Sequence, residues 1–258
     1  KRMRRIRSLD RDRASACVEA GALGIRLEED LNAQGFTLGH FPSSILCSTV
    51  GGWLAGRSAG QCSGRYGKIE DMAISLECID GTGELHTLHR RTHGPDLTPL
   101  LIGSEGILGV LTAATLRLHP YPKARAFSAF SFPGIEAGWT AMRDIFQAGL
   151  RPAVARLYDP FDSFIAKGHS SSTSSKTSEK SQGPHSPGTG SAALRHILRS
   201  PERLNYLIDR LTNKVLKGCT LVLLWENDTQ QQADDEKTAA SVIAARLRAR
   251  PLGEGPAR

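Results

Sequence analysis

No run of apolar residues in this sequence approaches the ~18–20 that a membrane-spanning helix needs, although 40% of its 258 residues are hydrophobic. The sequence also lacks an internal repeat, a Gly-x-Gly-x-x-Gly motif and a P-loop pattern. Its five cysteines are an odd number with no Cys-x-x-Cys spacing, which argues against a zinc site and a disulfide framework. We therefore expect an intracellular protein with reduced thiols and no bound metal.

Positive charge is concentrated at the two ends of the chain. The first residue is Lys1 rather than Met, and basic residues continue to Arg13 without the apolar segment of a secretory signal. We therefore expect a protein that is not secreted, and a sequence that starts inside a longer one. The net charge of +7 is not accompanied by a nucleic-acid motif or by interleaved aromatic residues. We expect no nucleic-acid partner, and a solvated or partner-covered basic face instead.

The first 124 residues have the hydrophobic patterns of mixed helices and strands, which predicts an α+β fold. Apolar residues on one face predict a helix. A turn signal between two alternating segments predicts a β-hairpin. A third alternating segment predicts a strand, which ends at a proline. These elements are, in order, a helix over Ile25–Leu31 ended by Gly35, a hairpin of Met72–Ile79 with Leu85–Leu88, and a strand over Leu108–Leu118.

The pattern changes after residue 124, which we take as the start of a second α+β domain over 125–258. A strand over Phe127–Phe132 leads through Pro133-Gly134 into a helix over Ile135–Ala148. The segment 169–191 is almost free of large apolar residues, so we expect a disordered insert. Beyond it the patterns predict a helix over Ala192–Leu216, a buried strand over Cys219–Trp225 and a helix over Gln230–Leu247. Residues 248–255 have no pattern of a further element, so this domain reads as incomplete.

Two glycine-rich segments are the strongest functional signals. The first is Phe41 to Trp53, in which a proline is followed by small hydroxyl residues, Gly51-Gly52 and a tryptophan. The second is Gly103 to Thr112, in which glycines are spaced through an apolar run. Glycines let backbone N–H groups come close to a ligand, and hydroxyl side chains add donors beside them. Either segment alone is more often a structural turn; together they favour a site for a flat or phosphorylated cofactor.

Four strings at compatible spacing over about residues 15–165 resemble one known family. They are Thr37–Ser43, Ser48–Trp53, Tyr66–Asp71 and Gly103–Val110. This series is similar to the second half of the FAD-binding domain of the p-cresol methylhydroxylase and vanillyl-alcohol oxidase flavoproteins. The Gly-Gly-Trp and Tyr-Gly-x-Ile-Glu-Asp strings resemble the alkyldihydroxyacetonephosphate synthase branch. The resemblance implies a PCMH-type FAD-binding domain, of which this chain carries the second part, followed by an incomplete cap or substrate domain.

The resemblance also implies which residues contact FAD. The Ser43–Thr49 stretch would hold the pyrophosphate and ribityl chain, Gly56–Ala59 would pass under the isoalloxazine ring, and Glu105–Leu111 would meet the adenine and ribose. Arg57 would favour the pyrophosphate dianion. The implied cofactor-binding residues are Pro42, Ser43, Ser44, Ser48, Thr49, Gly51, Gly52, Gly56, Arg57, Ser58, Ala59, Glu105, Gly106, Ile107, Leu108, Gly109, Val110 and Leu111.

The function implied by the resemblance is an FAD-dependent exchange of the acyl chain of acyl-dihydroxyacetone phosphate for a fatty alcohol, in ether lipid synthesis. It implies a small-molecule or lipid-phosphate substrate, peripheral membrane contact, a homodimer when intact, and a cytoplasmic or, in a eukaryote, peroxisomal location. The alternatives are an FAD-linked D-2-hydroxy-acid dehydrogenase or oxidase, and an inactive remnant or binding module. The family's upstream phosphate loop and its C-terminal catalytic residues have no counterpart here. We therefore expect weak FAD retention and assign no catalytic residue.

Other residue combinations have plainer explanations. His86, His89 and His93 lie close in sequence but lack a carboxylate or cysteine partner in range, so surface histidines are expected. Glu70 and Asp71 are adjacent, and in a strand they would point to opposite faces rather than form an acid–base pair. Cys47 and His40 are loose candidates for a covalent flavin link, although Cys47 is more simply a small packing residue.

Overall fold

The computed structural model describes residues 3–91, 93–160, 162 and 218–255. It has an α+β fold and divides into two compact units. The first unit comprises 1–127, 150–155 and 223–238, and the second comprises 128–149, 156–222 and 239–258. The segment 169–191 and the helix over Ala192–Leu216 predicted from the sequence lie outside the described residues. No helix in the described part of the chain is long and apolar enough to cross a membrane.

The first unit is built on a five-stranded antiparallel sheet in the order β1-β2-β6-β4-β5. Short helices and one two-stranded ladder, β3 with β7, accompany it. The bounds are β1 Ile6–Asp10, β2 Ser15–Glu19, α1 Gly24–Asn32, β3 Phe36–Thr37, α2 Val50–Ala55, α3 Ser63–Tyr66, α4 Ile69–Met72, β4 Ala73–Ile79, β5 Leu85–His89, α5 Thr98–Leu101, β6 Val110–Arg117 and β7 His119–Pro120. The helix, the hairpin and the strand predicted for this half are confirmed as α1, β4–β5 and β6.

One apolar core lies between this sheet and its helices. Leu27 and Leu31 from α1, Val50 and Leu54 from α2, and Leu76 from β4 are at most 2% exposed and belong to a single cluster. Spacings of three and four residues place the α1 and α2 side chains on one face of each helix, which explains why these short helices are held on the sheet. Burial of a leucine or valine side chain contributes roughly 1.5–3 kcal/mol. The core thereby fixes the start of α2 beside the end of β2.

The remaining strands form a four-stranded sheet in the order β11-β8-β10-β9. The bounds are β8 Ala124–Phe132, α6 Ile135–Gln147, β9 Val154–Tyr158, β10 Cys219–Asn227, α7 Gln230–Arg246 and β11 Arg250–Gly253. In the second unit α6 lies close to the sheet at Gly138, where a Cβ would be 2.7 Å from Leu157 Cδ1 and 2.8 Å from Cys219 Sγ. The predicted strands at β8 and β10 and the helices at α6 and α7 are confirmed.

Two predictions from the sequence are wrong. Residues 248–255 do contain an element, because β11 pairs with β8 and places Arg250 opposite Ser131. A proline at Pro251 hides this strand from the pattern, but an edge strand tolerates a residue without an N–H donor. Glu70 and Asp71 lie in the one-turn helix α4 rather than in a strand. The Asp71 carboxylate accepts a hydrogen bond from Lys68 N at 2.8 Å and so begins that helix.

Candidate cofactor groove

The two glycine-rich segments come together at one groove of about 380 Å³ in the first unit. The end of β2, the start of α2 and the loop before β6 form its walls. Seven of the residues implied by the resemblance line it: Thr49, Gly51, Gly52, Gly106, Gly109, Val110 and Leu111. Five further lining residues were not singled out from the sequence: Met3, Ala20, Gly21, Ala55 and Ser104. The sequence did contain a signal for Ala20 and Gly21 as groove residues, because a run of small residues follows Glu19 at the end of a buried strand.

Close backbone packing holds α2 against the end of β2. Gly51 N donates to Ala20 O at 2.7 Å, and Val50 N donates to Ala22 O at 3.1 Å. A Cβ on Gly51 would be 2.9 Å from Ala20 Cβ and 3.0 Å from Ala20 O. The glycine at position 51 is therefore required by strand–helix contact, independently of any ligand. Gly52 differs, because its Cβ would meet only Thr49 Oγ1 at 3.4 Å.

Hydroxyl groups at the start of α2 are already used by the protein. Thr49 Oγ1 caps the helix and accepts from Gly52 N at 3.3 Å. Ser48 Oγ accepts from Trp53 Nε1 at 2.7 Å and donates to Ser44 O at 2.8 Å. These contacts explain the serine and threonine in this string as capping and bracing groups. Trp53 is 3% exposed and belongs to the core.

The loop before β6 is held against α2 by backbone hydrogen bonds. Gly103 N donates to Leu54 O at 2.9 Å, and Glu105 N donates to Ala55 O at 3.0 Å. Glu105 has a φ of 51° in the left-handed region, where a non-glycine residue carries strain that concentrates at functional loops. Gly109 has a φ of 150°, and a Cβ there would be 2.7 Å from Ile79 O. The loop is thus fixed by its own backbone before any ligand binds.

The other implied residues lie outside the groove lining. Pro42 is buried, Ser43, Ser44, Gly56 and Ala59 are exposed, Ser48 is half-buried beside Trp53, and Glu105, Ile107 and Leu108 are exposed on the loop. Arg57 pairs with Glu70 at 3.0 Å and donates to Ile102 O at 3.1 Å. Ser58 Oγ lies 3.1 Å from His40 Nε2. The structure therefore brings the C-terminal end of the first glycine-rich segment together with the second segment, and leaves the other implied residues outside the groove lining.

The groove residues fit one surface of a flat cofactor. Small or glycine residues line most of it, and nothing lies within 4 Å of a Cβ placed on Gly106. No charged side chain is among the lining residues, so a pyrophosphate would depend on backbone N–H groups and on Thr49 and Ser104 hydroxyls. A dinucleotide can lie along such a surface with its backbone approached closely.

The histidine segment has the carboxylate partners that its sequence did not predict. The β4–β5 turn brings Asp80 Oδ2 to 2.8 Å from His86 Nε2, and Glu84 completes a group whose ligand atoms lie within 4.8 Å of one another. The expectation of no carboxylate in range is therefore wrong, because the turn folds Asp80 back onto β5. Asp80 Oδ1 also accepts from Thr82 N at 2.8 Å and Glu84 N at 3.0 Å. These turn contacts explain the cluster without a metal ion.

Comparison with known proteins relates the chain that carries this groove to FAD-binding proteins. Residues 1–89 match the family described as "FAD binding domain". The chain is 39% identical over 162 residues to an alkyldihydroxyacetonephosphate synthase of Dictyostelium discoideum. The aligned region covers 62% of this chain and 26% of that protein. It is 30% identical over 163 residues to the Bacillus subtilis "Glycolate oxidase subunit GlcD", covering 62% of this chain and 35% of that protein.

A solved alkyldihydroxyacetonephosphate synthase superimposes with a TM-score of 0.72 at 30% identity, and covers 98% of this chain and 43% of its own. The chain thus spans 26% of the length of the Dictyostelium relative. The family match over residues 1–89 includes the first glycine-rich segment and ends before the second. Residues 1–89 therefore match an FAD-binding domain, and nearly the whole chain is similar in structure to part of an alkyldihydroxyacetonephosphate synthase.

Proposed function

We propose that this chain is part of an FAD-dependent enzyme that exchanges the acyl chain of acyl-dihydroxyacetone phosphate for a fatty alcohol. The observation that supports this most is the convergence of two glycine-rich segments on one groove, in a chain 39% identical over 162 residues to a synthase of that name. When bound, FAD supplies electrophilic chemistry at its ring system. The residues of this chain would hold and orient the cofactor, and catalytic groups would come from elsewhere in the protein.

The finer parts of the proposal rest on resemblance. They are a lipid-phosphate substrate, a homodimeric intact protein with peripheral membrane contact, and a cytoplasmic or peroxisomal location. The boundary between an FAD-binding domain over 1–124 and a cap domain over 125–258 belongs to the same proposal. Thr49, Gly51, Gly52, Gly106, Gly109, Val110 and Leu111 are the groove residues that we propose contact FAD.

The cofactor proposal is tested by titrating FAD into the 258-residue chain and following the flavin absorbance bands and fluorescence. The blocking variant is Gly52→Leu, because Gly52 lines the groove and has room for a side chain. The matched control is Gly81→Leu, whose Cβ would have nothing within 4 Å in the β4–β5 turn. We expect saturable FAD binding that Gly52→Leu weakens at least about tenfold and Gly81→Leu leaves unchanged.

Binding that is equal in both variants would contradict the placement of FAD in this groove, and an intact protein that takes up no FAD would favour an inactive remnant. The reaction is tested on the intact protein. Bleaching of the flavin by D-2-hydroxy acids would favour the dehydrogenase alternative. Formation of the alkyl product without bleaching would support the synthase.

A further inference from the structure

A second cavity of the first unit, of about 400 Å³, shares no lining residue with the groove. It lies where α3, β7 and the end of β10 meet, and we call it the Arg65 pocket. The side chains that matter are Arg65, Tyr66, His119, Glu226 and Asp228, all of which line it. The function proposed above uses none of them.

Arg65 brings a positive charge that the protein does not neutralise by direct pairing. Its Nη1 donates to Arg151 O at 2.9 Å, and its Nη2 donates to Asn227 Oδ1 at 3.5 Å. Both acceptors are uncharged, and no carboxylate oxygen of the described chain lies within the 4.0 Å ion-pair distance of this guanidinium. A guanidinium has five N–H donors in a planar fork that suits carboxylate and phosphate oxygens. Arg65 therefore retains both charge and donors for a ligand.

His119 brings a polar atom with no partner. Its Nε2 is buried and has no hydrogen bond to any described residue, while its ring packs 4.9 Å from that of Tyr66. Burial and the neighbouring Arg117 and Arg65 lower the pKa of His119, so the ring is neutral and lies in a positive field. In the tautomer with the proton on Nε2, a ligand oxygen that accepts from this N–H would satisfy the buried nitrogen.

The buried carboxylate of the pocket is neutralised within the protein. Glu226 has a 5% exposed side chain, and its Oε1 accepts from Arg125 Nε at 2.9 Å. Its Oε2 accepts from Tyr66 Oη at 2.7 Å. Glu226 therefore fixes Tyr66 rather than opposing an anion. Asp228 also lines the pocket, and because it is exposed its charge is screened by solvent.

We propose that the Arg65 pocket binds the oxyanion of a small ligand, a carboxylate or a phosphate monoester, through the Arg65 guanidinium and His119 Nε2. This site is separate from the FAD groove, and its occupation does not depend on the proposed synthase reaction. The two donors approach from α3 and β7, so an oxyanion between them would be held by elements that are already fixed.

The test is calorimetric titration of the 258-residue chain with inorganic phosphate and with acetate at constant ionic strength. The variants are Arg65→Gln and His119→Phe, and the control is Arg26→Gln on α1, where the side chain is 75% exposed. We expect saturable binding that each pocket variant weakens about tenfold or more, as for the loss of a charge-assisted hydrogen bond. The control should bind as the unchanged chain does. Tighter binding of phosphate or of acetate identifies which source of the oxyanion the pocket prefers.

A second measurement does not depend on the variants folding. In the ¹⁵N spectrum of histidine-labelled protein, the His119 Nε2 resonance should move as phosphate or acetate is added, with the same affinity as in the calorimetry. No saturable binding of either anion, a His119 signal that stays fixed, or equal binding in the Arg65→Gln and Arg26→Gln proteins would each overturn the proposal. FAD binding in the groove would be unaffected by any of these results.

Discussion

His40 is 1% exposed, and its Nδ1 is buried without a hydrogen-bond partner. Its ring meets Trp53 edge-on at 4.7 Å, and its Nε2 lies 3.1 Å from Ser58 Oγ. A charged imidazolium would lose its hydration here without gaining a carboxylate, so burial lowers the pKa of His40 to about 4. His40 therefore packs beside α2 as an uncharged imidazole.

This burial makes stability depend on pH. An unfolded histidine binds its proton near pH 6.5, whereas folded His40 does so only near pH 4. Its folded-state pKa is thus below the unfolded value, and the unfolded chain is favoured as it takes up the proton. We expect full stability above about pH 6.5 and a loss of up to about 3 kcal/mol as the pH falls to about 4.

The measurement is urea denaturation between pH 7.5 and pH 4.5 of the unchanged protein and of His40→Phe. The phenylalanine variant should lose most of the pH slope, whatever its stability at pH 7.5. His89→Gln, on the exposed part of β5, should keep the slope. An unchanged slope in His40→Phe would show that another group controls the acid response.

Residue-level predictions from sequence succeeded where a residue acts through its immediate neighbours. Two glycine-rich segments were singled out, and residues of both line one groove. Gly51 has a structural reason in addition to the predicted cofactor contact, because Ala20 occupies the space beside its Cα. Arg57 was expected near a pyrophosphate, but Glu70 lies 3.0 Å from it. A long side chain can pair with a residue that is distant in the sequence, and the sequence pattern does not predict which residue that is.

The β4–β5 hairpin shows how one side chain specifies an element. Asp80 Oδ1 accepts from Thr82 N at 2.8 Å, Thr82 Oγ1 at 2.6 Å and Glu84 N at 3.0 Å, and Asp80 Oδ2 meets His86. These hydrogen bonds, with that of Thr82 Oγ1 first, hold the pKa of Asp80 well below its usual range. The turn is therefore stabilised by an ionised carboxylate.

Asp80→Ala should loosen this turn without unfolding the sheet, because β4 also pairs with β6. We expect faster hydrogen exchange at the Thr82 and Glu84 amides, and unchanged exchange in the β4–β6 ladder. In the unchanged protein the protection should hold above pH ~4, the ordinary aspartate range, and fade as the pH falls further, since the depressed pKa belongs to the folded state. Glu84→Gln is the control, and equal exchange in both variants would contradict the role of Asp80.

At the scale of elements, sequence patterns predicted those with strong periodicity. The hairpin, α1, β6, β8, α6, β10 and α7 were all expected near their observed bounds. The short elements α4 and β11 were predicted wrongly. Each has only four residues, which is too few to show a periodic pattern, and β11 contains a proline while α4 contains two adjacent acidic residues. Both are defined by partners: Asp71 closes on Lys68, and β11 pairs with β8.

At the scale of the whole molecule, segments that are far apart in the sequence pair with each other inside one compact unit. Ala153 N donates to Leu224 O at 2.7 Å, and both residues belong to the first unit. The serine-rich tract predicted to be disordered falls between them in the sequence. Non-local pairing of this kind could not be predicted from periodicity, since a pattern gives an element but not its neighbour.

Deleting Ser170 to Ser191 should therefore change stability little. The tract carries almost no large apolar side chain, so its removal should take little from a core. Shortening a long connection also changes its closure entropy only slightly, by about 0.6 kcal/mol for each doubling of length. We expect the thermal midpoint to shift by no more than about 2–4 °C, with an unchanged far-ultraviolet circular dichroism spectrum per folded residue. The matched control deletes Ala192 to Leu216, a segment predicted to be helical, and this should cost more. A large loss of folded protein from the first deletion, equal to that from the second, would mean that the tract takes part in the fold.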